Sequence, residues 1–116
     1  EAKVDAPSGT ALSIAESMIE GRGSGFDHNV VESQILEGTR GGDYEGINVH
    51  SARMPGRVAR HEVVFGALGQ TLTMIHDSIN RESFMPGVMI SVKRVSESDE
   101  LVIGLASVLG LDKLNT

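Results

Sequence analysis

Val58-Ala59-Arg60-His61-Glu62-Val63-Val64-Phe65-Gly66, followed closely by Gln70-Thr71-Leu72-Thr73-Met74-Ile75-His76-Asp77-Ser78, is the stretch that decides the fold. β-Branched and apolar residues dominate both runs, and a connection at Ala67-Leu68 separates them. A third run, residues 47–53, precedes them across Met54-Pro55-Gly56-Arg57. Connections this short join antiparallel neighbours, so the three runs predict a meander. Pairing residue 54 with 57 sets His50 opposite His61, and pairing 66 with 69 sets His61 opposite Met74. One face then carries Val49, Val64 and Ile75 among Arg60, Glu62 and Thr73. The other carries His50, His61, Val63, Phe65, Leu72, Met74 and His76. Both faces are half apolar, more than water favours, and this predicts self-association through the second.

Working outward, Ala11, Leu12, Ala15, Met18 and Ile19 recur at the spacing of an amphipathic helix, with Ser8 as N-cap and the Gly21/Gly23 pair as its stop. Residues 21–46 are glycine-rich and weakly periodic, with a short edge strand expected within 29–36. A second helix is expected from Pro86, which suits a first turn, to Val95, with Met85, Val88, Met89, Val92 and Val95 on its apolar side. Residues 101–111 close the chain as a strand followed by a short helix. The expected fold class is α+β: a mixed, largely antiparallel sheet of about four strands with two helices packed on one face.

Composition bounds the function. At 116 residues the chain is expected to be one domain, residues 1–116. Forty per cent apolar and 22% charged residues are ordinary for a folded chain. With one Tyr, three Phe and no Trp, a core must rest on aliphatic side chains and Met. A net charge of −6 without a basic run argues against nucleic acid as a partner. No run approaches the ~18 apolar residues a membrane helix needs. The absence of Cys excludes disulfides and thiolate metal sites and is in keeping with the cytoplasm.

The chemistry concentrates in Lys3-Val4-Asp5-Ala6-Pro7-Ser8-Gly9-Thr10-Ala11. It sets an ammonium, two hydroxyls and a glycine at the start of a helix, where unpaired backbone N–H groups and the macrodipole attract anions. A small carboxylate or phosphate fits such a place; an ordinary capped helix after a Pro turn accounts for the same residues. Elsewhere the plain readings prevail. His50, His61 and His76 on one sheet face suggest zinc, yet their neighbours Phe65, Leu72 and Met74 suit a packed interface better, and no metal is expected. Glu16 with Glu20, and Glu97 with Asp99 and Glu100, read as solvated surface. Ser8 lacks a nucleophile elbow. Gly21-x-Gly23-x-Gly25 has neither the preceding strand nor the following helix of a dinucleotide fingerprint.

The Lys3–Ala11 segment resembles the substrate-binding segment of the dihydrodipicolinate reductase family. The resemblance continues through Arg40-Gly41-Gly42, the blocks from Gly46 to Arg53 and from Glu62 to Gly66, His76-Asp77-Ser78, Arg81 and the block from Ser83 to Val88. It covers almost the whole chain, in the family's order. One departure is visible: Arg60-His61 stands where the family pattern has His-Gln before the Glu, so no family role is carried to those two side chains. The resemblance implies an NADH- or NADPH-dependent, cytoplasmic oxidoreductase of the diaminopimelate route to lysine. Such an enzyme would be a homotetramer joined through C-terminal sheets, with its cofactor in an N-terminal Rossmann domain absent from this chain. It further implies that the family's H-H-x-x-K histidines would stand just before Glu1-Ala2, so the 116 residues alone are expected to be inactive. By the same resemblance Lys3 is catalytic and binds substrate, while Ser8, Gly9 and Thr10 hold one substrate carboxylate. A non-catalytic oligomerisation or small-anion-binding module is the alternative, and a tri-histidine metal protein a third reading.

Overall fold

The computed structural model describes residues 4–28 and 33–111. The chain divides into two compact units, Glu1–Arg57 and Val58–Thr116.

The first unit is built on helix α1, Gly9–Arg22. Its inward residues are those the spacing selects: Ala11, Leu12, Ala15, Met18 and Ile19 are buried or half-buried, while Ser13, Glu16, Ser17 and Glu20 are exposed. The helix ends on Gly23, whose left-handed backbone lets its N–H reach the carbonyls of Ile19 and Glu20. A two-stranded hairpin follows. Strand β1, Gly42–Tyr44, pairs antiparallel with β2, Ile47–Val49, with Tyr44 opposite Ile47. Glu45 and Gly46 between them both have positive φ, 53° and 83°, the turn geometry that follows the right-handed twist of a hairpin. The 26–28 segment lies against this turn: the Phe26 N–H donates to the Glu45 carbonyl at 2.7 Å, and a Cβ at Gly46 would overlap the Phe26 carbonyl.

The second unit opens with a long hairpin of β3, Ala59–Ala67, and β4, Gln70–Ser78. A 3-10 turn at Arg81–Phe84 leads into helix α2, Met85–Val95, and a short helix α3, Leu105–Leu109, follows. Pro86 sits in the first turn of α2 as expected. α2 packs against α3 at Gly87, where a Cβ would meet the Leu105 side chain.

The α+β class is borne out, and four strands are present among the described residues, but their arrangement differs from one sheet. The expected three-stranded meander is replaced by two separate two-stranded sheets, because β2 is taken by β1 and residues 50–58 form an irregular loop. β1 escaped sequence reading because three residues, Gly-Asp-Tyr, carry no period. In the expected edge strand, residues 29–32 lie outside the described residues and 33–36 are not a strand; residues 101–103 are likewise irregular. The β3–β4 register also differs. His61 stands opposite His76, not Met74, since the connection is Leu68-Gly69 with Gly69 in the left-handed region. The difference is two residues, so every side chain keeps its assigned face.

Val63 opposite Met74 and Phe65 opposite Leu72 thus share a face. On the opposite face Arg60 bonds Asp77 across the strands at 3.2 Å and Glu62 along its own strand at 2.8 Å. Those hydrogen bonds, Glu62's first, raise the Arg60 pKa. Among the described residues only Ala15 and Ser78 are buried. Apolar side chains of the second unit stay open, with Leu72 at 59% and Met74 at 51% exposure.

Candidate functional site

Ser8 has extended backbone angles and caps α1: its Oγ accepts from the Ala11 N–H at 3.2 Å, and its carbonyl accepts from the Leu12 N–H at 3.2 Å. The Leu12 bond is the helix's first i→i−4 bond, so of the first turn's orphan donors the cap uses that of Ala11. The Gly9 and Thr10 N–H groups have no partner among the described residues, and both residues are exposed. The Ser8 hydroxyl, committed as an acceptor, keeps its own O–H to donate. The Thr10 hydroxyl adds another donor. Gly9 faces open space, with nothing within 4 Å of where a Cβ would stand, so an anion can approach the backbone there. No acidic residue lies in the first turn to compete for these donors.

Ser8, Gly9 and Thr10 are thus brought together as expected from sequence, on one helix end. Lys3 lies outside the described residues. Of the three histidines, His61 and His76 are cross-strand partners in the second unit, while His50 belongs to the loop after β2 in the first. Among the described residues no group of three or more His, Asp or Glu could hold a metal ion, and no helix is long and apolar enough to cross a membrane.

Sequence reading missed what holds this helix end in place. Arg53 Nη2 donates to the Asp5 carbonyl at 2.6 Å, while Nη1 donates to the Ala52 carbonyl at 3.2 Å. The Tyr44 hydroxyl donates to Glu16 Oε1 at 3.3 Å, tying β1 to the middle of α1. Partial burial first, then the Glu16 and Glu45 charges, raise the Tyr44 pKa above the ordinary phenol value. His28 Nδ1 lies 3.0 Å from Asp43 Oδ2, which joins the 26–28 segment to the hairpin. The Arg53–Asp5, Tyr44–Glu16 and His28–Asp43 pairs have no local sequence signature, since their partners are 15 to 48 positions apart. In the second unit lies an apolar groove lined by Phe84, Val88, Val92, Val95, Leu105 and Leu109, without a titratable group.

The start of α1 thus combines two N–H groups unpaired among the described residues with two hydroxyls, a donor set of the kind that suits a small anion. The chain belongs to the family described as dihydrodipicolinate reductase, C-terminus, whose sequence profile matches residues 1–109. It is 51% identical over 107 residues to the 4-hydroxy-tetrahydrodipicolinate reductase of Bacillus pumilus, covering 92% of this chain and 40% of that one. The Listeria innocua enzyme of the same name is 50% identical over 107 residues, covering 92% of this chain and 41% of that protein. Among solved structures, dipicolinate-bound dihydrodipicolinate reductase from Paenisporosarcina sp. TG-14 is similar at a TM-score of 0.79 and 48% identity, over 90% of this chain and 40% of that one. The chain therefore spans about 40% of the length of the relatives it matches.

Proposed function

We propose that this chain is the substrate-binding and assembly part of a 4-hydroxy-tetrahydrodipicolinate reductase, acting in the cytoplasm in the diaminopimelate route to lysine. The observation that carries the reading is the start of α1, where the Gly9 and Thr10 N–H groups have no partner among the described residues and lie beside the Ser8 and Thr10 hydroxyls. Dipicolinate, the ligand named for the Paenisporosarcina relative, is a ring bearing two carboxylates, and one carboxylate matches this set of donors.

The reaction adds a hydride to a conjugated carbon of a cyclic unsaturated dicarboxylate, and the charge that develops must be stabilised and then protonated. NADH or NADPH would supply the hydride. The described residues hold no Gly-x-Gly-x-x-Gly between a strand and a helix, so we assign the cofactor to a separate N-terminal Rossmann domain. Within this chain, Ser8, Gly9 and Thr10 fix one carboxylate and with it the ring's orientation. Lys3, five residues before the cap, brings a positive charge toward the ring or its second carboxylate, where it opposes the charge that develops during reduction. We further assign assembly, as a homotetramer, to the sheet face bearing Val63, Phe65, Leu72 and Met74, which a single chain leaves open.

Kinetics of the full-length enzyme test the site. Thr10→Val removes one hydrogen bond to a bystander carboxylate and should raise KM for the dicarboxylate about tenfold with little change in kcat. Lys3→Ala removes a charge that meets the transition state and should lower kcat as well. Unchanged kinetics in Lys3→Ala would show that the site is wrongly assigned. The alternative, a non-catalytic anion-binding or oligomerisation module, predicts no reductase turnover in the full-length protein.

A further inference from the structure

We propose that Arg53 is a positioning residue for the carboxylate site, acting through the segment that leads into α1. This inference rests on the helix start being that site. The segment from Val4 to Ser8 belongs to no helix or strand, and Val4, Asp5 and Ala6 are exposed, so hydrogen bonds weigh heavily in setting its course. Into it reaches the Arg53 guanidinium, which donates to the Asp5 carbonyl at 2.6 Å, a short charge-assisted hydrogen bond. The same guanidinium donates to the Ala52 carbonyl at 3.2 Å, so its plane is held from its own strand of chain. Asp5 is three residues before the Ser8 cap and two after Lys3. A fixed Asp5 carbonyl therefore limits the travel of the chain that leads into the hydroxyl and N–H cluster. A misplacement of about 1 Å in such a site is enough to lose up to about 100-fold in rate.

Arg53 differs from the site residues in what its loss should do. It donates to backbone and not to ligand, so its removal loosens the grip without deleting a ligand donor. In the full-length enzyme, Arg53→Met should raise KM for the dicarboxylate about tenfold with a smaller loss of kcat, and leave KM for the nicotinamide cofactor unchanged. Arg53→Lys, which keeps a charged donor of similar reach, should recover most of that loss. Because Arg53 acts through the Ser8 loop, the Arg53→Met/Ser8→Ala double variant should lose less than the product of the two single effects.

The outcomes separate cleanly. If Ser8→Ala raises KM while Arg53→Met does not, or if the two effects multiply in full, the positioning role is wrong although the site stands. If neither changes KM for the dicarboxylate, the site reading falls and takes this inference with it. A lowered melting temperature with both KM values altered would make Arg53 a folding residue and would also overturn the proposal.

Discussion

The start of α1 and the β3–β4 hairpin are finished to different degrees. At the helix start the polar groups are arranged by the chain itself: Ser8 caps, Arg53 holds the Asp5 carbonyl, and Tyr44 reaches Glu16. The donors left over are few and convergent. In the hairpin the backbone ladder is complete over nine paired positions, yet Leu72, Met74, Val64 and Ile75 are all more than half exposed. Backbone pairing fixes the hairpin's shape without burying its side chains, and a two-stranded hairpin by itself is marginal in water. The contrast teaches that the helix start completes its polar contacts within its own unit, whereas the hairpin leaves apolar side chains uncovered.

The contrast can be broken at its apolar end first. Leu72→Asp places a carboxylate on the open face, where the single chain tolerates it and an assembly does not. It forfeits about 1.5–3 kcal/mol of apolar burial in each copy, besides the desolvation of a charge. Light scattering should show the assembly falling to smaller species, and an unchanged oligomer would move the interface elsewhere. A smaller effect is expected in the first unit from Gly46→Ala. Its φ of 83° is strained for alanine, and the new Cβ would run into the Phe26 carbonyl. A loss of about 1–3 kcal/mol should appear in urea unfolding. Gly56→Ala serves as comparison, for Gly56 has the same φ but open space around it, and it should lose less. The smallest effect is alkaline. The folded Tyr44 pKa lies above its ordinary 10.0, so its contribution is complete below that value and is lost as pH rises through the higher folded one. Stability should fall above about pH 10, and the fall should be shallower in Tyr44→Phe; identical alkaline slopes would detach Tyr44 from the fold.

Much of this was legible in the sequence where periodicity or capping chemistry speaks. The inward stripe of α1, the Ser8 cap, the β3 and β4 strands, and Pro86 at the start of α2 all follow from local rules. What escaped is decided by backbone sign or by distant partners. Only the left-handed Gly69 fixes the turn at Leu68-Gly69 and hence the His61–His76 pairing. Glu45 with positive φ makes the β1–β2 turn, although Glu gives no turn signal. The helix-start donors could be named in advance because capping is local; the Arg53 bond behind them could not, because nothing near Arg53 in sequence points to Asp5.

That bond also sets an order of events. Arg53 and Asp5 are 48 positions apart, whereas every contact of the Ser8 cap lies within four. A chain emerging from the ribosome at about 5–20 residues per second would have α1 and its cap several seconds before Arg53 becomes available. Helix closure takes on the order of microseconds, so the wait belongs to synthesis and not to folding. During it the Asp5 carbonyl is without the Arg53 guanidinium that it accepts from in the folded chain. A chain arrested before residue 53 would therefore hold the cap residues of α1 but not the Arg53 clasp, with a 14-residue helix that is marginal on its own in water.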